Sequence, residues 1–412
     1  MAAVHYRALR GRSPGFRALL ALLGALIAGG LLAASYMEHY GHYVTGMSNQ
    51  IVWGMPHVFA VFLIVAASGA LNVASIASVF GREAYKPLAR LSGLLAIALL
   101  IGGLSVLVLD LGRPDRLIVA MTHYNFKSIF AWNIFLYTGF IAIVAVYLWM
   151  MFERRMNEYG NRAGLVAFLW RLTLTTGTGS IFGFLVARGS YDSALYAPLF
   201  VVMSFSSGLA IFILVLMASC RQSGITLGDA TVQRLKSLLG VFVAAVMYFV
   251  LVHHLTNLYY TRRHEIERFI LLEGGIYTIV FWAGQVLVGG IVPLALLFHP
   301  AWSRSRRVIV VAAVCVIAGG LAQMYVIIIG GQAYPLDIFP GKEVSSTFFD
   351  GAIAPYSPSL PELALGIGGV ALALALTAVA LRVLPFLPCS LADGGVPAGG
   401  AAPAGKVQPA SA

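Results

Sequence analysis

Charge and cysteine are both scarce in this chain, and each scarcity excludes a class of function. Charged residues make up only 10% of its 412 positions. The three cysteines, Cys220, Cys315 and Cys389, are odd in number and lie far apart. None forms C-x-x-C, so a self-contained cysteine-ligated iron–sulfur cluster is excluded, as is covalent c-type haem, which needs C-x-x-C-H. No G-x-x-x-x-G-K-[ST] phosphate loop occurs. Any electrons this protein handles must therefore travel on an exchangeable carrier or through a partner.

Apolar sequence, by contrast, is abundant. Hydrophobic residues make up 59% of the chain. About ten stretches are apolar over roughly twenty residues, the length needed to cross the hydrocarbon core as a helix. Because backbone groups in lipid must be satisfied internally, the expected fold is an all-α polytopic membrane protein. The expected spans are 16–35, 51–80, 88–111, 129–152, 163–187, 196–220, 235–258, 274–298, 307–330 and 360–384.

The net charge of +11 follows from topology rather than from nucleic-acid binding. Lys and Arg concentrate in alternate loops: Arg7, Arg10, Arg12 and Arg17; Arg82, Lys86 and Arg90; Arg154, Arg155 and Arg162; Arg221, Arg234 and Lys236; Arg304, Arg306 and Arg307. The opposite loops carry fewer, so both termini are expected in the cytoplasm. The first span is read as an uncleaved anchor, with Ala33-Ala34-Ser35 as the alternative processing site. Residues 389–412 are rich in Ala, Gly and Pro and are expected to form a disordered cytoplasmic tail. The loop 331–359 is long enough to be a docking surface or a mobile connection. Arg90-Leu91 with Leu94-Leu95 recurs as Arg234-Leu235 with Leu238-Leu239, which suggests four-helix repeats over about 51–187 and 196–330.

Ionisable groups inside apolar spans are costly and mark function by default. His57 falls about 9 Å into the second span at 1.5 Å per residue. Asp110, Arg113, His123, Tyr124, Asn125, Lys127 and Asn133 come from separate segments near the same, external face. Trp53 and Trp132 suit an aromatic belt. Each admits a structural reading: a packing histidine, an Asp110–Arg113 ion pair capping a helix, interfacial cations. Arg171 lies deep in the fifth span, His253 and His254 near the outer end of the seventh, and Glu273 at the start of the eighth. A proton path through Arg171, His254 and Glu273 is one reading of these groups. A bis-histidine b-haem on His57 and His254 is a disfavoured alternative, and no metal site is expected. The polar set near the outer face suits a quinone headgroup, whose redox chemistry moves protons with electrons.

Asp110-Leu111-Gly112-Arg113-Pro114, Asn125-Phe126-Lys127-Ser128 and Trp132-Asn133 together resemble the NrfD/polysulfide-reductase membrane-subunit family, over about residues 16–388. The closing Leu384-Pro385-Phe386-Leu387-Pro388 is also similar to its ten-helix members. The stretch from Gly46 to Gly54, with Pro56-His57-Val58-Phe59, resembles the branch that serves the Dsr transmembrane complex of sulfur metabolism. This resemblance implies two four-helix bundles plus flanking helices in a bacterial cytoplasmic membrane. It implies no covalently held redox cofactor, and a quinone site with His57, Asp110 and Arg113 as the reactive groups. Trp53, His57, Tyr124, Lys127 and Asn133 would bind the headgroup. The implied partners are a ferredoxin-like iron–sulfur subunit, a triheme cytochrome c, a membrane cytochrome b and a cytoplasmic iron–sulfur subunit. Several family members carry an acid where Asn133 stands, and Asn cannot titrate, which weakens a proton-pumping role. A secondary transporter and a purely structural anchor are the alternatives.

Overall fold

A computed structural model describes residues 5–9, 11, 13–336 and 351–392. Ten long helices follow one another: α1 Pro14–Tyr40, α2 Met55–Ser78, α3 Glu83–Leu109, α4 Ile129–Phe152, α5 Gly160–Gly183, α6 Tyr196–Ser223, α7 Asp229–Tyr259, α8 Ile276–Phe298, α9 Arg306–Ala333 and α10 Leu360–Val383. Nine of them, among the described residues, are long and apolar enough to cross a membrane. The exception is α5, which stands where the fifth span was expected. Its 24 residues suffice in length, but Arg171, Thr173, Thr175, Thr176, Thr178 and Ser180 lower its apolarity. Three of these groups are buried and bonded within the protein: Thr175 and Thr178 each donate to the carbonyl four residues back, and Arg171 donates to Asn72.

The helices form two rings of four. In the first, α2 packs on α3, α3 on α4, α4 on α5, and α5 returns to α2; in the second, α6 packs on α7, α7 on α8, α8 on α9, and α9 returns to α6. α1 and α10 flank the first ring, with α10 against α2 and α3. The first ring's α2 also touches α6 and α9, so it is the central helix, and 89% of its apolar stretch is covered by other helices. At the α2–α6 crossing, Gly69 faces the Ser204 carbonyl and Gly208 faces the backbone of Gly69 and Ala70 so closely that neither position has room for a Cβ. Small residues at this seam let two backbones meet without a hydrophobic driving force, which lipid cannot supply.

Local sequence sets the helix ends. Ser13 accepts from the Phe16 amide at the start of α1, with Pro14 in the first turn. Ser359 and Glu362 form a reciprocal capping box at the start of α10. Gly224, at φ 61°, closes α6 in the left-handed conformation glycine favours. Ala33-Ala34-Ser35 lies within the unbroken α1. At the face away from His57, β1 Tyr6–Arg7 pairs antiparallel with β2 Leu387–Pro388. Cys389 and Leu391, at the start of the expected tail, are held by backbone bonds to His5 and Thr226. Residues 393–412 lie outside the described residues, as does the 337–350 part of the loop expected as a docking surface.

Candidate functional site

His57 and Asp110 come together at the end of the first ring where α2 begins and α3 stops. Pro56 stands in the first turn of α2, where a missing amide hydrogen costs nothing. In the same turn, His57 Nδ1 lies 2.9 Å from Asp110 Oδ2. Asp110 caps the end of α3, and its side chain is fully buried. From the other side, His42 Nε2 reaches Asp110 Oδ1 at 3.5 Å. Both approaches are ion-pair contacts rather than well-aligned hydrogen bonds. The carboxylate thus sits between two imidazoles. Burial pushes its pKa up, but the contacts with His42 and His57 outweigh burial and hold it below the ordinary carboxylate value. The His42 imidazole is raised, chiefly by its contact with Asp110 and against the opposing effect of burial.

Aromatic rings wall this rim. Trp53 stacks on His57 at 6.1 Å between centroids and 25° between planes, and it also meets Phe130 of α4 and Phe182 of α5. Only 17% of the His57 side chain is exposed. Asn133 is buried between α4 and α5, where its Nδ2 donates to the carbonyls of Ile129 at 2.9 Å and Gly177 at 3.2 Å. Thr178 Oγ1, whose proton goes to the Leu174 carbonyl, lies 3.4 Å from Asn133 Oδ1.

Other expected residues lie elsewhere. Arg113 does not pair with Asp110. Gly112, at φ 69°, turns the chain out of α3, and Arg113 is exposed and pairs with Asp115 at 3.2 Å. Tyr124 stacks on Phe135 at 4.3 Å. Lys127 is exposed in a turn that Asn125 closes by accepting from its amide. Glu273 forms an exposed pair with Arg268. Arg171 is fully buried, donating to Asn72 Oδ1 at 2.9 Å with its guanidinium over Phe168 and Phe205. His254 belongs to the second ring and contacts Glu267 Oε2 at 2.6 Å. In the bis-histidine alternative His57 and His254 would oppose each other; instead the Nδ1 of each faces a carboxylate of its own ring.

The residues that aim Trp53 and His57 come from far along the chain. Gln332, at the end of α9, accepts from the amides of Val52 and Trp53 and donates to the Trp53 carbonyl. Arg188 donates to the carbonyls of Gln332 and Gln50. Glu362 of α10 accepts from the amides of Gly46 and Ser359 and from the Tyr356 hydroxyl, and that hydroxyl accepts from the Met55 amide. Sequence reading missed His42, Gln332, Tyr356 and Glu362. Only Glu362 carried a local signal, the S-x-x-E pattern from Ser359.

A bundle of long apolar helices with a buried carboxylate–imidazole cluster at one end defines a multi-pass integral membrane protein with a polar site at its rim. Residues 43–335 match the family model described as polysulphide reductase, NrfD, and the protein belongs to that family. It is 29% identical over 389 residues to the Hdr-like menaquinol oxidoreductase integral membrane subunit of Archaeoglobus fulgidus, covering 94% of this sequence and 97% of that one. It is 23% identical over 403 residues to the menaquinone reductase integral membrane subunit of Nitratidesulfovibrio vulgaris, covering 90% and 92%. It is also 25% identical over 311 residues to the protein NrfD of Escherichia coli, covering 69% of this sequence and 96% of that one.

Proposed function

We propose that this protein is the quinone-reactive membrane subunit of a bacterial redox complex, exchanging electrons between the membrane quinone pool and partner subunits. The observation that carries this reading is the His57–Asp110 pair: an imidazole held by a fully buried carboxylate, against the indole of Trp53. The names of the menaquinol and menaquinone relatives support it.

The chemistry follows from the atoms. Oxidising a quinol releases two electrons and two protons. A carboxylate can only accept a hydrogen bond, so Asp110 favours the His57 tautomer with the proton on Nδ1, leaving Nε2 free to take a proton from a quinol hydroxyl. The imidazolium so formed is stabilised by the same carboxylate. His42 shares Asp110 and supplies a second titratable group beside it. Trp53 offers a flat apolar face to the headgroup ring. In the reverse direction the same groups donate protons to a quinone. Asn133 is a hydrogen-bonding wall that does not titrate. Arg113, Tyr124 and Lys127, placed at the rim, suit the mouth of the site better than its floor.

The electrons leave to partners on the His57 face, which this reading places outside the cytoplasmic membrane, with both termini inside. The resemblance of residues 46–59 to DsrP favours a ferredoxin-like iron–sulfur subunit there, with a triheme cytochrome c, a membrane cytochrome b and a cytoplasmic iron–sulfur subunit completing the complex. The test is quinol oxidation by the purified complex, using a menaquinol analogue and an artificial acceptor. His57→Ala should lower the rate about a hundredfold or more, the scale of a lost general base, while subunit composition stays intact. An unchanged rate would leave the protein a structural anchor.

A further inference from the structure

The second ring contains polar groups that the rim site does not use. Among the described residues, four buried side-chain atoms with no hydrogen-bond partner gather at and beside it, Ser190 Oγ, His253 Nδ1, Gln285 Oε1 and Gln323 Nε2, while a further such atom, Ser223 Oγ, stands at the opposite end of α6. All four residues line one cavity of about 40 Å³. A second cavity, of about 20 Å³, continues from it, sharing Val250, Gln285 and Gln323 and reaching Ser206 and Ser207. Ser206 and Ser207 lie ten and eleven residues into α6, about 15 Å at 1.5 Å per residue, or half of a ~30 Å hydrocarbon core.

Orphaned polar atoms in a low-dielectric interior are costly, so something should satisfy them. The donor and acceptor pattern says what. Asn257 Nδ2 faces His253 Nε2 at 3.2 Å, which makes Nε2 the acceptor and leaves the proton on Nδ1. The cavity therefore presents donors at His253 Nδ1 and Gln323 Nε2, an acceptor at Gln285 Oε1, and a hydroxyl that does either at Ser190. An anion would want donors alone and a cation acceptors alone; water uses both. The volume agrees, since a water needs ~10–15 Å³ of such space and two to four polar partners. The first cavity holds about three waters on that scale and is too small for a quinone headgroup.

The helices around these cavities depart from regular α geometry. Val280–Ile291 in α8, which carries Gln285, and Val326–Gly330 in α9, just beyond Gln323, are wound as π-helix, a form that concentrates at functional positions. At the mouth, His254 and Glu267 pair at 2.6 Å, Asn257 donates to Glu267 at 2.7 Å, and Arg263 donates to Asn257 at 2.9 Å. Tyr196 lies against His253, with ring centroids 4.9 Å apart.

We propose that the second ring binds a short file of fixed waters, running from the His254–Glu267 pair to Ser206 and Ser207 at mid-membrane. The file is an aqueous inlet separate from the rim site, and it stands whether or not that site reacts with quinone.

X-ray hydroxyl-radical footprinting of the intact complex tests this, because fixed waters generate radicals beside side chains that bulk solvent cannot reach. His253 is 6% exposed; Met203 and Met324, at 1% and 0%, line neither cavity and serve as controls. His253 should be modified several-fold faster than both methionines, although methionine is intrinsically the more reactive. Gln285→Leu with Gln323→Leu should return His253 to the control rate. If that pair fails to assemble, Gln285→Met alone should still slow His253 modification. A wild-type His253 rate no faster than the controls overturns the proposal. So does fast modification that the assembled variant leaves unchanged, because the radicals would then come from bulk solvent.

Discussion

The Tyr356 hydroxyl donates to Glu362 Oε1 at 2.6 Å and accepts from the Met55 amide at 2.6 Å, so a carboxylate on the last long helix holds the first turn of α2. Glu362 is fully buried and accepts from three donors, two of them backbone amides. Glu362→Gln puts an amide NH₂ where one of those donors points. The expected cost is roughly 1–3 kcal/mol, the penalty of an unmade buried hydrogen bond. Differential scanning calorimetry of the purified complex should show the lower melting temperature. A rise in KM for quinol should accompany it, because the segment carrying Trp53 and His57 loosens.

The carboxylate between His42 and His57 gives a pH dependence of defined sign. Asp110 is held below its ordinary value of 3.8, so its stabilising contribution is present above pH 3.8 and is lost as pH falls through the lowered native value. His42 is raised above 6.5, so its contribution is complete below pH 6.5 and is lost as pH rises through the raised native value. The cluster therefore stabilises most between these two ordinary values. In Asp110→Asn both limbs should flatten in a melting-temperature profile against pH. A variant profile that parallels the wild type would show that the cluster does not set it.

Asn133, where the family resemblance implies an acid in several members, is committed as a donor to the carbonyls of Ile129 and Gly177. An aspartate there would set negative charge against two carbonyl oxygens. Asn133→Asp should therefore destabilise by roughly 1–3 kcal/mol, seen as a lower melting temperature. It should add no proton translocation to proteoliposomes that hold the complex.

The seam between the two rings rests on backbone contact at Gly69. A Gly69→Val side chain meets the Ser204 carbonyl, and overpacking of this kind costs typically about 1–3 kcal/mol, sometimes more. Yield of assembled complex from membranes should fall. Gly29→Ala on α1, where an added Cβ meets nothing within 4 Å, is the control and should leave yield unchanged.

The long helices are readable because one physical quantity, apolar length, dictates them. α5 shows where that quantity misleads: its buried Thr175, Thr178 and Arg171 bond to groups within the protein, so hydropathy understates a helix that tertiary packing supports. His57 and Asp110 are legible as charges in apolar surroundings. Their pairing is not, because Arg113 stands nearer to Asp110 in sequence and only the left-handed turn at Gly112 sends it outward. His42, Gln332 and, beyond its local cap with Ser359, Glu362 are illegible for another reason. Their roles depend on residues up to 316 positions away along the sequence, and no local pattern encodes such a contact. Glu267 sits in His264-Glu265-Ile266-Glu267-Arg268, which reads as solvated charge, yet it is 2% exposed.

Gln332 grips the strip of main chain that bears the rim's indole, and it does so from the far ring of helices. The two halves are thereby geared together. A subunit that seats where the polypeptide emerges from α9 and tilts that helix would retune the grip on the carrier without touching it.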